Sequence, residues 1–201
     1  GTLYDAQSNV LTWYDAQKGI MHKLLPQERT PFRIDFEGVA GMALDDAATA
    51  GDFQPDAFSA IELSAPVATY TLFARGVVTA RDLYRDVTLQ DIQIVLGSDG
   101  ATHLIGTLLN NGTIEATIPH VLATYYDAQG NVLWVDDVFL ETAVRPQLSQ
   151  SFDLPITPLD DLELLLKEPS NLTLEVADTG LIALPKGLGY ASVRLSVHYY
   201  A

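Results

Sequence analysis

Histidines are the first side chains to consider for chemistry, because imidazole titrates near neutral pH and ligates metals. The chain has His22, His103, His120 and His198. No two of them have a spacing, such as His-x3-His, that brings a pair of imidazoles to one metal ion. We therefore expect each histidine to be a strand residue that faces water.

Nucleophilic catalysis has little support in the sequence. The chain has no cysteine, which removes thiolate nucleophiles, disulfides and cysteine-ligated metals. It lacks the Gly-x-Ser-x-Gly turn that exposes a catalytic serine, so Ser192 is expected only to open a strand. Gly187-Leu188-Gly189 precedes a strand instead of a helix, which predicts a turn and not a phosphate loop. The sequence thus predicts no enzyme, with no catalytic residue, no cofactor and no cofactor-binding residue.

Carboxylates are numerous but poorly arranged for acid-base catalysis. Adjacent pairs occur at Asp45-Asp46, Asp136-Asp137 and Asp160-Asp161. Neighbouring residues of a strand point to opposite faces, so such a pair cannot act together on one substrate. We expect these side chains to be solvated at the surface.

One acidic loop offers an alternative chemistry, the binding of calcium. It carries Asp45, Asp46, Asp52 and Asp56, and Ca²⁺ takes about six to eight oxygen ligands. The loop lacks the Asp-x-Asp-x-Asp-Gly pattern of a calcium loop. Calcium or small-ligand binding is therefore an alternative, and no residue is assigned as a metal ligand.

Tryptophans and glycosylation sequons have structural interpretations. Trp13 and Trp134 lie in corresponding strand regions, so we expect them in the core or between sheets and not as platforms for carbohydrate. The sequons that begin at Asn111 and Asn171 also fit turn and strand sequences.

Composition limits the partners. The chain of 201 residues has a formal net charge of −15 and 48% apolar residues. The charge repels phosphate backbones and anionic headgroups, so neither nucleic acid nor a membrane surface is an expected partner. No apolar run reaches the ~20 residues of a membrane span. Gly1 in place of an initiator methionine is interpreted as a processing boundary, so a removed signal or anchor is expected.

The elements that position these residues are predicted to be strands. Apolar and polar residues alternate over Val193–Tyr199 and Leu172–Val176, which is typical of half-buried strands. Asp99-Gly100 predicts a hairpin turn, Asp127–Asn131 a second reversal, and Asn110–Thr113 a further turn. These turns predict an antiparallel meander.

Two segments depart from the strand pattern. Pro158–Lys167 has proline and acids in its first turn and apolar residues at helical spacing, which predicts one short helix. Gly38–Phe58 sustains neither period and is predicted to be a long loop.

The chain also resembles itself. Val10–Gly19 matches Val121–Gly130 through the shared tetrapeptide Tyr-Asp-Ala-Gln. Each copy is followed by Pro-Gln, four residues and Phe. These elements are Pro26-Gln27 with Phe32 and Pro146-Gln147 with Phe152. We expect both phenylalanines in the core. Ordered landmarks predict two copies of one β module, although an extra Tyr4–Gln7 leaves the register of the first copy open.

These landmarks resemble the FxLYD domain, a small immunoglobulin-like β-sandwich of bacteria and archaea. Its pattern is Gly-x-Val-x-Asn, then aromatic-Tyr-Asp-x-x-Gly, then Leu-x-Pro and Phe. Matching residues, in order, are Gly106–Asn110, Tyr125–Gly130, Pro146 and Phe152. The name-giving Phe is replaced by Ala123 in the second copy and Leu11 in the first, and its Leu by Tyr125 and Trp13.

The resemblance covers residues 87–200 well and 10–70 loosely. It implies an all-β protein of two immunoglobulin-like antiparallel sandwich modules in tandem, with no catalytic residues to carry over. We expect the modules at 1–76 and at 77–201, and whether the first is complete at its N terminus is left open.

The leading functional hypothesis is a non-catalytic protein, secreted or in the cell envelope, with a structural or protein-interaction role. It implies a protein partner and leaves the oligomeric state open. The alternatives are a calcium- or ligand-binding envelope protein and an LEA-like cytosolic sandwich of the stress-response type. A hydrolase with a scattered triad has the least support.

Overall fold

The structure is a computed structural model. It describes residues 1–16, 24–34, 36, 63–78, 85–157, 172–173, 180–185 and 188–200. The contacts divide the chain into two compact units, one of residues 1–17 and 34–80, the other of residues 18–33 and 81–201. The predicted modules at 1–76 and 77–201 stay a prediction.

Within the described residues the chain forms strands and no helix, which confirms the all-β class. The strands are β1 (Thr2–Tyr4), β2 (Val10–Trp13), β3 (Thr69–Thr71), β4 (Val87–Leu96), β5 (Thr102–Asn110), β6 (Thr117–Tyr126), β7 (Val132–Phe139), β8 (Ser149–Pro155), β9 (Leu172–Thr173), β10 (Ile182–Ala183) and β11 (Ser192–Tyr200). The helix predicted at Pro158–Lys167 and the loop predicted at Gly38–Phe58 lie outside the described residues.

The first unit contains a three-stranded antiparallel sheet in the order β2-β1-β3. The backbone pairing of β1 with β2 extends to the N terminus. There the Gly1 ammonium donates to the Tyr14 carbonyl at 2.8 Å, and the Tyr14 N–H donates to the Gly1 carbonyl at 2.9 Å. The chain start is therefore part of this sheet.

The described residues of the second unit form a sandwich of two four-stranded sheets, ordered β10-β11-β6-β7 and β8-β5-β4-β9. Alternate residues of β5 are buried, as expected for a strand with one face on a core. The core combines inward side chains of both sheets, among them Ile94, Leu104, Leu108, Val121, Tyr125, Leu154 and Val193. Burial of these faces against each other holds the two sheets together.

The expected meander is wrong where consecutive strands belong to different sheets, between β5 and β6 and between β7 and β8. β5 and β6 are consecutive in the chain but belong to different sheets. The buried Asn110 fixes the crossover, because its amide Nδ2 donates to the carbonyls of Ile114 and Val144 and its Oδ1 accepts from the Gly112 N–H. The predicted turn at 110–113 is thus a bridge between two layers and not a hairpin.

The hairpin predicted at Asp127–Asn131 is confirmed. Asp127 Oδ1 accepts from the backbone N–H groups of Gln129 and Asn131, and Oδ2 accepts from the Asn131 amide at 2.8 Å. Gly130 completes the turn with φ of 84°, a left-handed conformation that glycine adopts without strain. Residues 128–130 thus form a three-residue loop between Asp127 and Asn131, which is a common way to join antiparallel strands.

The same turn recurs between β1 and β2. Asp5 Oδ1 accepts from the N–H groups of Gln7 and Asn9, and Oδ2 accepts from the Asn9 amide at 2.8 Å. Ser8 takes the left-handed position with φ of 65°. The register shifts at Leu3/Tyr4 in one hairpin and at Tyr125/Tyr126 in the other.

These paired turns correct the register of the internal repeat. Tyr4, not Tyr14, is the counterpart of Tyr126, and Val10 opens the second strand of its hairpin as Val132 does. The sequence left this register open, because Tyr4–Gln7 and Tyr14–Gln17 are identical over four residues.

The two Pro-Gln elements form equivalent turns. Gln27 and Gln147 have φ of 69° and 61°, and in each turn the N–H after the glutamine bonds the carbonyl before the proline, as in a type II turn. Phe152 is buried in the core as expected, whereas Phe32 is 48% exposed. The expectation of a core aromatic is therefore wrong for Phe32.

Residues 24–33 are attached to the second unit by charged side chains. Arg85 forms a 2.8 Å ion pair with Glu28. Arg33 donates to the Val135 carbonyl and lies over the Trp134 ring, with its Cζ 5.0 Å from the ring centre. These contacts explain why a segment that precedes residue 34 belongs to the later unit.

Candidate functional site

A buried carboxylate, Asp136 on β7, connects the two sheets of the sandwich. Its Oδ1 accepts hydrogen bonds from Trp134 Nε1 at 2.8 Å and from the Thr157 hydroxyl at 2.7 Å. Its Oδ2 accepts the Thr157 backbone N–H at 2.8 Å, and Arg33 Nη1 lies 3.5 Å from Oδ1. With both oxygens occupied and 6% of the residue exposed, Asp136 has a structural role.

Two tyrosines pack near this carboxylate. The rings of Tyr125 and Tyr190 stack with centroids 4.4 Å apart, and Tyr190 donates its hydroxyl hydrogen to the Thr157 carbonyl at 2.6 Å. Burial, and after it the charge of Asp136, raises the pKa of both hydroxyls. Both tyrosines therefore stay protonated at neutral pH and do not act as bases.

The predicted carboxylate pair Asp136-Asp137 is partly corrected. The two side chains do point to opposite faces of β7, since Asp137 Oδ2 lies 2.8 Å from His120 Nε2. They are not solvated, because partners on both faces of the strand cover them. Asp45-Asp46, Asp52, Asp56 and Asp160-Asp161 lie outside the described residues, so the calcium alternative stays a prediction.

The expectation that the histidines face water is wrong for His120 and His198. They are 2% and 1% exposed and lie opposite each other on β6 and β11. His120 also stacks on Phe139 with ring centroids 3.8 Å apart. The same outer face carries a buried apolar pair, Leu122 and Val135, so both faces of these strands are covered.

The other residues considered as functional candidates do not come together at one site, or they have structural roles. Ser192 opens β11 as expected, and Trp134 packs partly against the core, but Trp13 is 67% exposed, contrary to expectation. Asn111 donates to the Thr88 hydroxyl at 2.9 Å. His22, Gly187 and Asn171 lie outside the described residues. Among the residues that are described, no group of three His, Asp or Glu could hold a metal ion.

A groove on the outer face of β4, β5 and β8 was not predicted from the sequence. It has a volume of about 400 Å³ and is lined by Asp91, Gln93, Ile105, Gly106, Thr107, Ser151, Phe152 and Asp153. Gln93, Ile105 and Asp153 form one row across the three strands, and Thr107 and Ser151 are neighbours in the next row.

A β-bulge shapes this groove. Two residues of β4, Asp91 and Ile92, lie opposite the single Gly106 of β5, and Asp91 has φ of 53°. The extra residue turns Asp91 outward while Ile92 enters the core. A Cβ on Gly106 would lie 2.7 Å from Ile92 Cδ1 and 2.7 Å from Phe152 Cε1, so a larger residue opposite the bulge would force these two core side chains to move.

His103 fixes one wall of the groove. Its Nδ1 hydrogen-bonds Asp153, and its Nε2 lies 3.1 Å from Asp99 Oδ2. Burial by itself would lower the pKa of His103, but the hydrogen bonds and charges of Asp153 and Asp99 outweigh it and raise the pKa. The imidazole thereby holds the exposed Asp153 carboxylate in one orientation beside the groove.

A second accessible surface lies on the first unit. Every residue from 66 to 78 is exposed. Its large apolar members are Val67, Tyr70, Leu72, Phe73, Val77 and Val78, with Phe73 at 87% and Val78 at 101% exposure. Strand β3 lies within this run at one edge of its sheet.

No protein-family model matches the chain, and neither a curated protein nor a solved structure matches it. Within the part of the chain that is described, no helix is both long and apolar enough to cross a bilayer.

Proposed function

We propose that this protein is a non-catalytic, exported β-sandwich protein that binds another protein, and that the partner adds a strand at the edge of β3. The observation that carries the proposal is the exposed apolar run of residues 66–78. Contiguous apolar surface of this kind is typical of interaction sites.

The edge of β3 supports a strand as the partner element. β3 pairs with β1 on one side, and the order of the described sheet leaves its other side as an edge. The N–H and C=O groups of an edge strand form a template for an added strand. A partner strand would satisfy these groups and cover exposed side chains such as Tyr70.

The low charge of residues 66–78 supports the proposal that a protein partner binds there. Residues 66–78 contain no acid and one base, Arg75, in a chain whose net charge is −15. This run itself therefore adds no negative charge that would repel an acidic partner.

The non-catalytic part of the proposal is supported by the occupied polar groups of the sandwich. Asp136 is saturated by Trp134 and Thr157. The exported location rests on the resemblance of residues 87–200 to the FxLYD domain, and cell fractionation with the mass of the mature chain tests it. An intact cytosolic chain would favour the LEA-like alternative.

A photocrosslinking amino acid in place of Tyr70 tests the binding edge in living cells. We expect a defined adduct with one protein partner, and a decrease of about tenfold when Phe73→Ser is added. The matched control carries the crosslinker in place of Val132, which is 54% exposed on β7, and should give no adduct.

Either of two results would overturn the binding edge. One is the absence of an adduct at position 70 in a folded protein, and the other is an equal adduct at position 132. An adduct of two copies of this chain would replace the partner with self-association.

A further inference from the structure

The outer groove of the second unit combines features that recognise a cationic side chain. Two carboxylates, Asp91 and Asp153, line it together with the amide of Gln93 and the hydroxyls of Thr107 and Ser151. We propose that this groove binds the guanidinium group of an arginine in a basic peptide. This inference is independent of the proposed strand-binding edge.

Apart from Asp153, which His103 already contacts, the polar groups of the groove are available to a ligand. The structure gives no side-chain hydrogen bond within the described part of the chain to Asp91, Gln93, Thr107 or Ser151. A guanidinium carries five N–H donors in a plane, which suits several oxygen acceptors arranged around one cavity. Carboxylates bind it most strongly, because such hydrogen bonds are assisted by charge.

The two carboxylates approach the groove from different strands. Asp153 lies on β8 in the row of Gln93 and Ile105, and Asp91 lies at the bulge of β4. Neighbouring strands are about 4.8 Å apart, so two strand spacings separate β4 from β8 by about 10 Å. A cation between them is attracted from both sides.

The floor of the groove fits the rest of an arginine side chain. It is formed by the outward-facing Ile105 side chain and the bare backbone of Gly106, and the Phe152 ring lies on the core side of the sheet. The methylene stem of arginine packs on apolar surface of this kind while its head reaches polar groups. A volume of about 400 Å³ accommodates one such side chain with part of its backbone.

His103 makes the site partly preorganised. It hydrogen-bonds Asp153 and is itself held by Asp99 on its other nitrogen. A carboxylate that is already oriented loses less conformational freedom when it binds a ligand.

Binding of short peptides to the full chain tests the proposal by NMR at about 0.15 M salt, where screening suppresses unspecific attraction. The probes are acetyl-Gly-Arg-Gly-amide and the same peptide with citrulline, which has the shape of arginine without its charge. We expect the arginine peptide to bind with a Kd of about 1 mM and the citrulline peptide at least about tenfold more weakly. Shifted backbone amides should cluster at residues 91–93, 105–107 and 151–153.

Variants of surface residues test whether the arginine peptide binds at the groove. Asp153→Asn and Asp91→Asn should each weaken binding of the arginine peptide by about tenfold, which is the loss of one charge-assisted contact. Glu141→Gln is the matched control, since this exposed carboxylate lies outside the groove, and it should bind as the unmodified chain does.

Three results would overturn the inference. They are equal binding of the arginine and citrulline peptides, shifts that map away from the groove, and unchanged binding by both aspartate variants. A lysine peptide that binds as well as the arginine peptide would also overturn the assignment to guanidinium.

Discussion

The two Tyr-Asp-Ala-Gln hairpins share a turn but differ in their strands. The Asp5 and Asp127 carboxylates accept the same three hydrogen bonds. Yet β1 and β2 have 3 and 4 residues, whereas β6 and β7 have 10 and 8. A short sequence therefore specifies a turn without specifying the length of the strands on either side.

The strands differ because their neighbours differ. Leu3 and Tyr125 occupy equivalent positions beside the two bulges. Leu3 is half-buried in a three-stranded sheet, whereas Tyr125 is fully buried between two sheets and stacked on Tyr190. Isolated pairs of strands are marginal in water, and packing of a second layer extends them.

The largest expected effect comes from removing the side chains at these equivalent positions. Tyr125→Ala should lower the free energy of unfolding by about 3–5 kcal/mol, because it leaves a cavity between the sheets. Leu3→Ala should lower it by about 1 kcal/mol or less, since the side chain is only partly removed from water. Urea unfolding monitored by circular dichroism measures both.

Tyr125→Phe is the control for the loss of the ring. The Tyr125 hydroxyl is buried and has no hydrogen-bond partner among the described residues, so its removal should leave stability unchanged or raise it by up to about 1 kcal/mol. Equal losses for Tyr125→Ala and Leu3→Ala would show that the two hairpins are packed alike, against the structure.

The second-largest expected loss of stability comes from replacing Asp136, a buried carboxylate that has no counterpart in the first hairpin. Tyr14 takes the position equivalent to Asp136 and lies just beyond β2. Asp136→Ala should cost about 3 kcal/mol, because the N–H groups of Trp134 and Thr157 lose their acceptor. Glu141→Ala should leave the urea midpoint unchanged, and a similar midpoint for both variants would contradict the role of Asp136.

Exchanging the left-handed residues tests how far the turns themselves are equivalent. Gly130→Ser should destabilise the second unit by about 1 kcal/mol, because a residue with a Cβ is strained at positive φ. Ser8→Gly should stabilise its turn by up to about 1 kcal/mol, since it relieves that strain. Thermal unfolding of both variants checks the signs, and two shifts of the same sign would refute the comparison.

Acid titration should give the smallest effect and the same sign in both turns. The side-chain hydrogen bond from Asn131 lowers the pKa of Asp127 below 3.8, and the bond from Asn9 does so for Asp5. A lowered folded-state pKa stabilises the fold above the unfolded value, and this contribution is lost as the pH falls through the folded value. NMR titration of the carboxyl carbons should therefore show midpoints below 3.8 for both groups.

Asp127→Asn and Asp5→Asn give the matching stability test. Each variant should melt at a lower temperature than the unmodified chain at pH 6. The difference should shrink below pH 3.8 as the native carboxylate is protonated. A difference that persists unchanged in acid would mean that the charge of the carboxylate does not matter.

Turns were the features most readily predicted from the sequence. The hairpins at Asp99-Gly100 and Asp127–Asn131 are found where they were expected. Their hydrogen bonds join residues two to four positions apart, so the information is local. The register of the repeat stayed open in the sequence, because two identical tetrapeptides occur within the first 17 residues.

Features that depend on distant partners were missed. Asp136 meets Thr157, 21 residues away, and Arg33 reaches the Val135 carbonyl over 102 residues. The groove has no sequence signature, because its walls come from three strands and the bulge that opens it depends on the partner strand. His120 and His198 were assigned to the wrong environment because alternation does not reveal that both faces of a strand are covered.

The sequence by itself determined the all-β class, the hairpin turns and the positive-φ positions that glycine fits best. These follow from alternation of side chains and from hydrogen bonds within a few residues. The tertiary structure decided which sheet each strand joins, that the chain crosses between layers after Asn110, and which carboxylates are buried or line the groove. Those outcomes depend on the burial of surfaces far apart in the chain, whose free energy is gained only when the layers pack together.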